Sequence, residues 1–140
     1  ELVSGQWWWN KPQKAFKYYD GTGAKTMAGV AGMSLKPDAE GTLTANGSEQ
    51  TLTNITALTK LSGYVDLSQM QPGDSVVIRQ YMVLKSGGSD RKYEEHAYSG
   101  AQDPPVVYVT TKVLAHGGKV TLQQTAGAYR TYDYSFVREE

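Results

Sequence analysis

The most regular stretch of the chain runs from Gly73 to Gly88. Val76, Ile78, Met82 and Leu84 fall on one side at period two, and Arg79, Tyr81 and Lys85 fall on the other with Val77 and Val83. Period two is strand periodicity, and apolar residues on both sides predict a long central strand whose outer face is partly covered. Gly73-Asp74 and Ser86-Gly87-Gly88 bound it with turn chemistry. The stretch after it alternates Tyr93, Glu95 and Ala97 with Lys92, Glu94, His96 and Tyr98, which predicts a strand antiparallel to the first across Ser86 to Asp90. That pairing would set Arg79 or Lys85 near a glutamate.

The same grammar extends in both directions. Thr42 to Ala45 and Glu49 to Leu52 flank Asn46-Gly47, a dipeptide suited to a type I′ turn, so a tight hairpin is expected there. Leu58 to Leu67 reads as a strand with a bulge at Ser62-Gly63. Two consecutive prolines, Pro104 and Pro105, bar a central strand from Ser99 to Pro105 and predict a crossing between sheets. Val106 to Val113 is strongly β-prone. Lys119 to Thr125 alternates Val120 and Leu122 with Thr121, Gln123 and Thr125, the mark of one buried and one wet face. In the closing strand, Tyr129 to Arg138, Tyr132, Tyr134 and Phe136 share a side.

Seven or eight short strands with no helical period predict an all-β protein. The expected fold is a two-sheet antiparallel β-sandwich of jelly-roll or immunoglobulin-like topology over residues 41–140. Residues 1–40 differ. Trp7-Trp8-Trp9, then Phe16, Tyr18 and Tyr19, then a glycine-rich run to Gly32 hold no sustained period. They predict an extended N-terminal arm with one short strand near Ala15 to Tyr19, leading through a loop that ends at Lys36-Pro37-Asp38. In extended chain Trp7 and Trp9 would face one way and Trp8 the other.

Composition narrows the function. Lys plus Arg and Asp plus Glu number 14 each, so no global charge steers the chain to nucleic acid or an anionic membrane. With no cysteine there is neither disulfide nor thiolate metal site. No apolar run approaches the ~20 residues of a membrane span. Glu1 in place of Met suggests a trimmed N-terminus. Ten Tyr against two Phe suit strands with wet outer faces.

Catalytic patterns are missing from the sequence. His96 and His116 stand in no ligand spacing, and the adjacent Glu94-Glu95 and Glu139-Glu140 point to opposite faces, which precludes a dyad within either pair. There is no nucleophile elbow, and Gly21-x-Gly23 lacks the helix and Lys-Ser/Thr of a phosphate loop. Asp20, Asp38, Asp66, Asp74, Asp90 and Asp103 lie at turns without EF-hand spacing. The expectation is a non-enzyme without cofactor or metal. Asn46-Gly47-Ser48 and Asn54-Ile55-Thr56 fit the N-glycosylation acceptor, a short pattern that recurs by chance.

Aromatics remain. Trp7, Trp8, Trp9, Phe16, Tyr18 and Tyr19 are the candidate subunit interface, because Trp and Tyr are enriched where subunits meet. Tyr129, Tyr132 and Tyr134 are the candidate glycan platform. Asp66 to Asp74, Val77 to Tyr81, Tyr98 to Gln102 and Val120 to Gly127 resemble small uncharacterised proteins of tailed-phage and archaeal or environmental prokaryotic sequences, over roughly Gly63 to Arg138. These segments mark strands and turns, so no functional residue carries over. The resemblance implies a β-sandwich component of an extracellular or virion assembly, such as a decoration or tail-associated protein. An aromatic arm suits such a part, since it can bury indoles on an adjacent copy, donate a strand to the neighbour's sheet, or build a filament where the rotation does not close. The partners expected are copies of itself or other subunits, with surface glycan as a further candidate. The alternative is a carbohydrate-binding module that uses exposed Trp or Tyr.

Overall fold

A computed structural model of the chain describes residues 34–139 throughout, preceded by the backbone of three short strands. The chain divides after Ser34 into two units.

The first unit is a sheet of order β1-β2-β3, with β1 Trp7–Asn10, β2 Ala15–Tyr19 and β3 Ala24–Thr26, all antiparallel. Trp7 pairs with Tyr18, Trp9 with Phe16, and Trp8 with Lys17, which itself pairs with Thr26. Opposed positions in a ladder share a face, so positions 7, 9, 16 and 18 lie on one face of this sheet and 8, 17 and 26 on the other. The expected strand at Ala15 to Tyr19 is present, but as the centre of a three-stranded sheet in place of an extended arm. Most of the glycine-rich run from Asp20 to Gly32, with Gly21 and Gly23, lies outside the described residues.

The second unit holds β4 Leu35–Thr44, β5 Gln50–Ile55, β6 Lys60–Asp66, β7 Ser75–Val83, β8 Asp90–Ser99, β9 Val106–Thr110, β10 Gly118–Ala126 and β11 Thr131–Glu139. One sheet has the order β4-β11-β6-β9 and the other β5-β10-β7-β8. The antiparallel pairs β4 with β11, β5 with β10, β6 with β9 and β7 with β8 nest inside one another, as if one long hairpin had been rolled up. That nesting, spread over two four-stranded sheets, is the jelly roll. The expected β-sandwich is therefore present.

Alternation builds the core. Leu61 and Val65 of β6, Val109 of β9, and Tyr132 and Phe136 of β11 face Val76 and Ile78 of β7 and Val120 and Leu122 of β10. Leu67, Met70 and Leu114 close it from the loops. Each such side chain contributes about 1.5–3 kcal/mol by leaving water, against the entropy of ordering the chain.

The long strand of the sequence is β7, interior to its sheet and paired with β10 and β8. Its polar inward member, Gln80, is only 3% exposed and accepts a hydrogen bond from the Tyr93 hydroxyl at 2.7 Å. Other expectations are corrected. The sandwich starts at Leu35, because Lys36-Pro37-Asp38 belongs to β4. Proline is tolerated there since β4 is an edge strand and its pairing with β11 shifts register between Ala39 and Pro37. The strands around Asn46-Gly47 form no hairpin. Gly47 has φ +83° and Asn46 Oδ1 accepts the Ser48 N–H at 2.9 Å, but the turn is a corner between sheets, with β4 on β11 and β5 on β10. Ser62-Gly63 is no bulge, since both partners of β6 keep register through it. Gly63 is there because the Phe136 ring lies over it, and a Cβ would strike that ring and the Ser135 carbonyl.

One end is stapled by buried polar groups. Gln124, 1% exposed, donates to the carbonyls of Ala126 and Ala128 and accepts from the Arg130 N–H and the Tyr132 hydroxyl. Burial, with the nearby charge of Asp74 adding to it, pushes the Tyr132 phenol up to about 12. Arg130 Nε donates to Asp74 Oδ2 at 2.8 Å, as does the Gln71 N–H. These bonds, Arg130 first, hold the Asp74 carboxyl below its ordinary value. Gly127, at φ +86°, passes so close to Asp74 that no side chain fits.

Candidate functional site

The two sheets turn different surfaces to water. On the outer face of β5-β10-β7-β8, Arg79 is the centre of a charge network. Its Nε donates to Glu95 Oε2 at 2.8 Å, its Nη1 donates to Gln123 Oε1 at 2.8 Å, and Glu49 lies 3.5 Å away. Lys92 shares Glu95 at 2.7 Å. Thr121 and Tyr81 both donate to Glu49 Oε1, and Lys119 sits 5.0 Å over the Tyr81 ring while reaching Asp90 at 3.1 Å. Hydrogen bonds from Lys92 and then Arg79 lower the Glu95 carboxyl. Burial alone would raise Glu49, but Thr121, Tyr81, Arg79 and Lys119 together outweigh it and the carboxyl is lowered. Burial first, then the bond to Glu49, raises the Tyr81 phenol.

The outer face of β4-β11-β6-β9 carries exposed rings, aliphatic side chains and hydroxyls beside a few charged groups. Register and alternation place Glu40, Ser135, Tyr64 and Tyr108 in one row across its four strands. Pro37, Val137, Ser62 and Thr110 form the next row towards Leu35 and Glu139. Tyr64 is 56% and Tyr108 57% exposed, with ring centroids 5.3 Å apart and planes inclined at 48°. Leu35 and Val106 are also open to solvent on this face. No comparably exposed large apolar side chain lies on the outer face of the other sheet among the described residues. Leu35, Ser62, Gly63, Tyr64, Tyr108, Ser135, Val137 and Glu139 enclose a groove of about 340 Å³ along β11. Ser62 Oγ and Thr110 Oγ1 lie 3.3 Å apart at its edge, and hydrogen bonding with Ser62 and then Thr110 draws the Tyr108 phenol below its ordinary value.

Between the sheets, where β8 and β9 leave the sandwich open, a smaller cleft of about 160 Å³ is lined by Ile78, Gln80, Glu94, His96, Tyr98 and Tyr108 among others. His96 Nε2 and Glu94 Oε1 are 2.7 Å apart there. His116 is exposed in the loop before β10. No group of three acidic or histidine side chains is placed to hold a metal ion among the described residues. Among the described residues no helix is long and apolar enough to cross a membrane. Asn46 and Asn54, the acceptor asparagines, are both exposed.

The tyrosines expected to form one glycan platform are separated. Tyr132 is fully enclosed, its hydroxyl spent on Gln124, and Tyr134 points inward over Gly41. Only Tyr129 is open, in the turn before β11 and against Gly47. The reason is parity: Tyr132 and Tyr134 share the side of Phe136, and that side is the core. Trp7, Trp8 and Trp9 lie in β1 and Phe16, Tyr18 and Tyr19 in β2, but the side chains of this expected interface lie outside the described residues. Sequence reasoning passed over Tyr64 and Tyr108. The signal was present, because each stands at the opposite phase to its neighbours Val65 and Val109, yet only the pairing of β6 with β9 brings the two rings together.

No protein-family model matches the chain, and no curated protein matches it significantly. Among solved structures, the crystal structure of the infectious bursal disease virus VP2 subviral particle is similar over 86% of this chain, at 12% identity and a TM-score of 0.43. This chain spans 35% of that one.

Proposed function

We propose that the chain is a non-enzymatic structural subunit of an extracellular or virion assembly, and that its copies join through the N-terminal aromatic sheet. The observation that carries this reading is the register of β1 and β2, which sets Trp7 opposite Tyr18 and Trp9 opposite Phe16. Four aromatic positions thereby share one face of a sheet whose described strands form a single layer, and a sheet face of that kind needs a second layer to cover it. The sandwich supplies its own two layers with no strand drawn from β1-β3, so its fold makes no demand on the N-terminal sheet. In this reading an adjacent copy provides that layer, in keeping with the enrichment of Trp and Tyr at subunit contacts.

The test is the mass of the full chain in solution. All three tryptophans lie at positions 7–9, so their emission reports on the N-terminal sheet alone. Wild type should sediment as an oligomer with blue-shifted emission. The double variant Trp7→Ser, Trp9→Ser should fall to the 15.3 kDa monomer. Equal masses for the two would refute the reading.

A further inference from the structure

We propose that the groove along β11 on the outer face of β4-β11-β6-β9 binds neutral pyranose units of a polysaccharide, with Tyr64 and Tyr108 as the stacking platform. Two rings at 48° and 5.3 Å offer two differently inclined faces to one ligand. The C–H face of a pyranose lies flat on one such ring while its hydroxyls exchange hydrogen bonds with groups around it. Those groups are present: the Ser62 and Ser135 hydroxyls, the Glu139 carboxylate and both phenols line the same groove, beside Leu35 and Val137. Apolar walls with a few convergent polar groups are the composition of a small-molecule site.

Size and charge select the occupant. A volume of about 340 Å³ lies near the lower end of the roughly 300–1,000 Å³ of such sites, enough for a short run of sugar rings. A folded partner would need about 800 Å² on its side, far beyond this groove. Among the described lining residues none is cationic and one, Glu139, is a carboxylate with Lys60 opposite it in register, so the groove has no excess of positive charge to draw phosphate, sulfated glycan or nucleic acid. The proposal invokes no residue of the N-terminal sheet, so it stands or falls independently of the assembly reading.

The experiment uses the full chain with cellohexaose, maltohexaose, mannohexaose and xylohexaose, read by isothermal titration and by saturation-transfer NMR. At least one should bind. Tyr64→Thr and Tyr108→Thr keep strand propensity and remove the ring, and each should weaken binding about tenfold. Tyr64→Phe keeps the ring and should retain most of the affinity. Tyr129→Ala, at the far end of the sandwich, should leave it unchanged. The proposal is overturned if none of the four sugars binds, or if both Thr variants bind like wild type. Self-association that disappears in Tyr64→Thr without any sugar response would overturn it too, by giving the face to a second copy. Circular dichroism melts establish that each variant is folded, and Tyr64→Phe against wild type serves as the comparison should Tyr64→Thr not fold.

Discussion

The two outer faces of the sandwich are built from the same alternation and yet solve different problems. On β5-β10-β7-β8 nearly every long side chain has a partner of opposite charge or a hydroxyl, with Arg79 between Glu49 and Glu95 and Lys119 between Asp90 and Tyr81. On β4-β11-β6-β9 the rings of Tyr64 and Tyr108 and the side chain of Leu35 stand in water, with Glu40, Glu139 and Lys60 around them. A face that satisfies itself is a good solvent surface and a poor binding surface, because a ligand would have to replace bonds already made. A face of exposed aromatic rings and aliphatic side chains gains from being covered.

The largest expected disturbance of that contrast comes from beneath the tyrosine face. Gly63→Val should destabilise the chain by about 3 kcal/mol in urea unfolding, since a side chain there collides with Phe136 and the Ser135 carbonyl and must displace β11. The floor of the groove would go with it.

Next in size is the staple shared by both sheets. Because the folded state holds Asp74 below its ordinary pKa, the unfolded chain takes up the proton first as pH falls. The stabilisation is complete above the ordinary aspartate range and is lost as pH drops through the folded value. Asp74→Asn should lower the thermal midpoint at pH 7 and flatten its decline between about pH 5 and pH 2. A wild-type decline retained in the variant would assign acid lability to other carboxylates.

A smaller effect probes the charged face. Arg79→Met leaves Glu49 and Glu95 without their shared cation and should cost about 1 kcal/mol, a loss that shrinks as salt rises from about 0.05 to 0.5 M. The smallest effect belongs to the tyrosine face. Tyr64→Thr should change stability by less than about 0.5 kcal/mol at any salt, because the ring covers little of the core. Stability that depends on salt on one face and not on the other is the measurable form of the comparison.

Individual elements show how far local pattern reaches. The phase of β7 and β10, the pairing of β7 with β8 that brings Arg79 to Glu95, and the crossing at Pro104-Pro105 were legible, because each follows from alternation, a short connection or a missing N–H. The reading of Asn46-Gly47 as a hairpin failed because a turn dipeptide fixes backbone angles and leaves open which sheet receives the next strand. Ser62-Gly63 reads as a bulge because a glycine in a strand announces missing bulk, while the ring of Phe136 that fills the gap comes from a strand 73 residues further on. The platform of Tyr129, Tyr132 and Tyr134 followed from their closeness in sequence, and parity then sent two of the rings inward.

What the sequence determined by itself was the strand content, the inward and outward phase of most strands and the central place of Ser75–Val83, because side-chain direction along an extended backbone is local. Only the tertiary structure decided that β4 meets β11, β5 meets β10 and β6 meets β9, since those pairings join distant parts of the chain and are settled by which inward faces fill one core together. Tyr64 and Tyr108 become neighbours through that choice, and the groove beside them is a product of it.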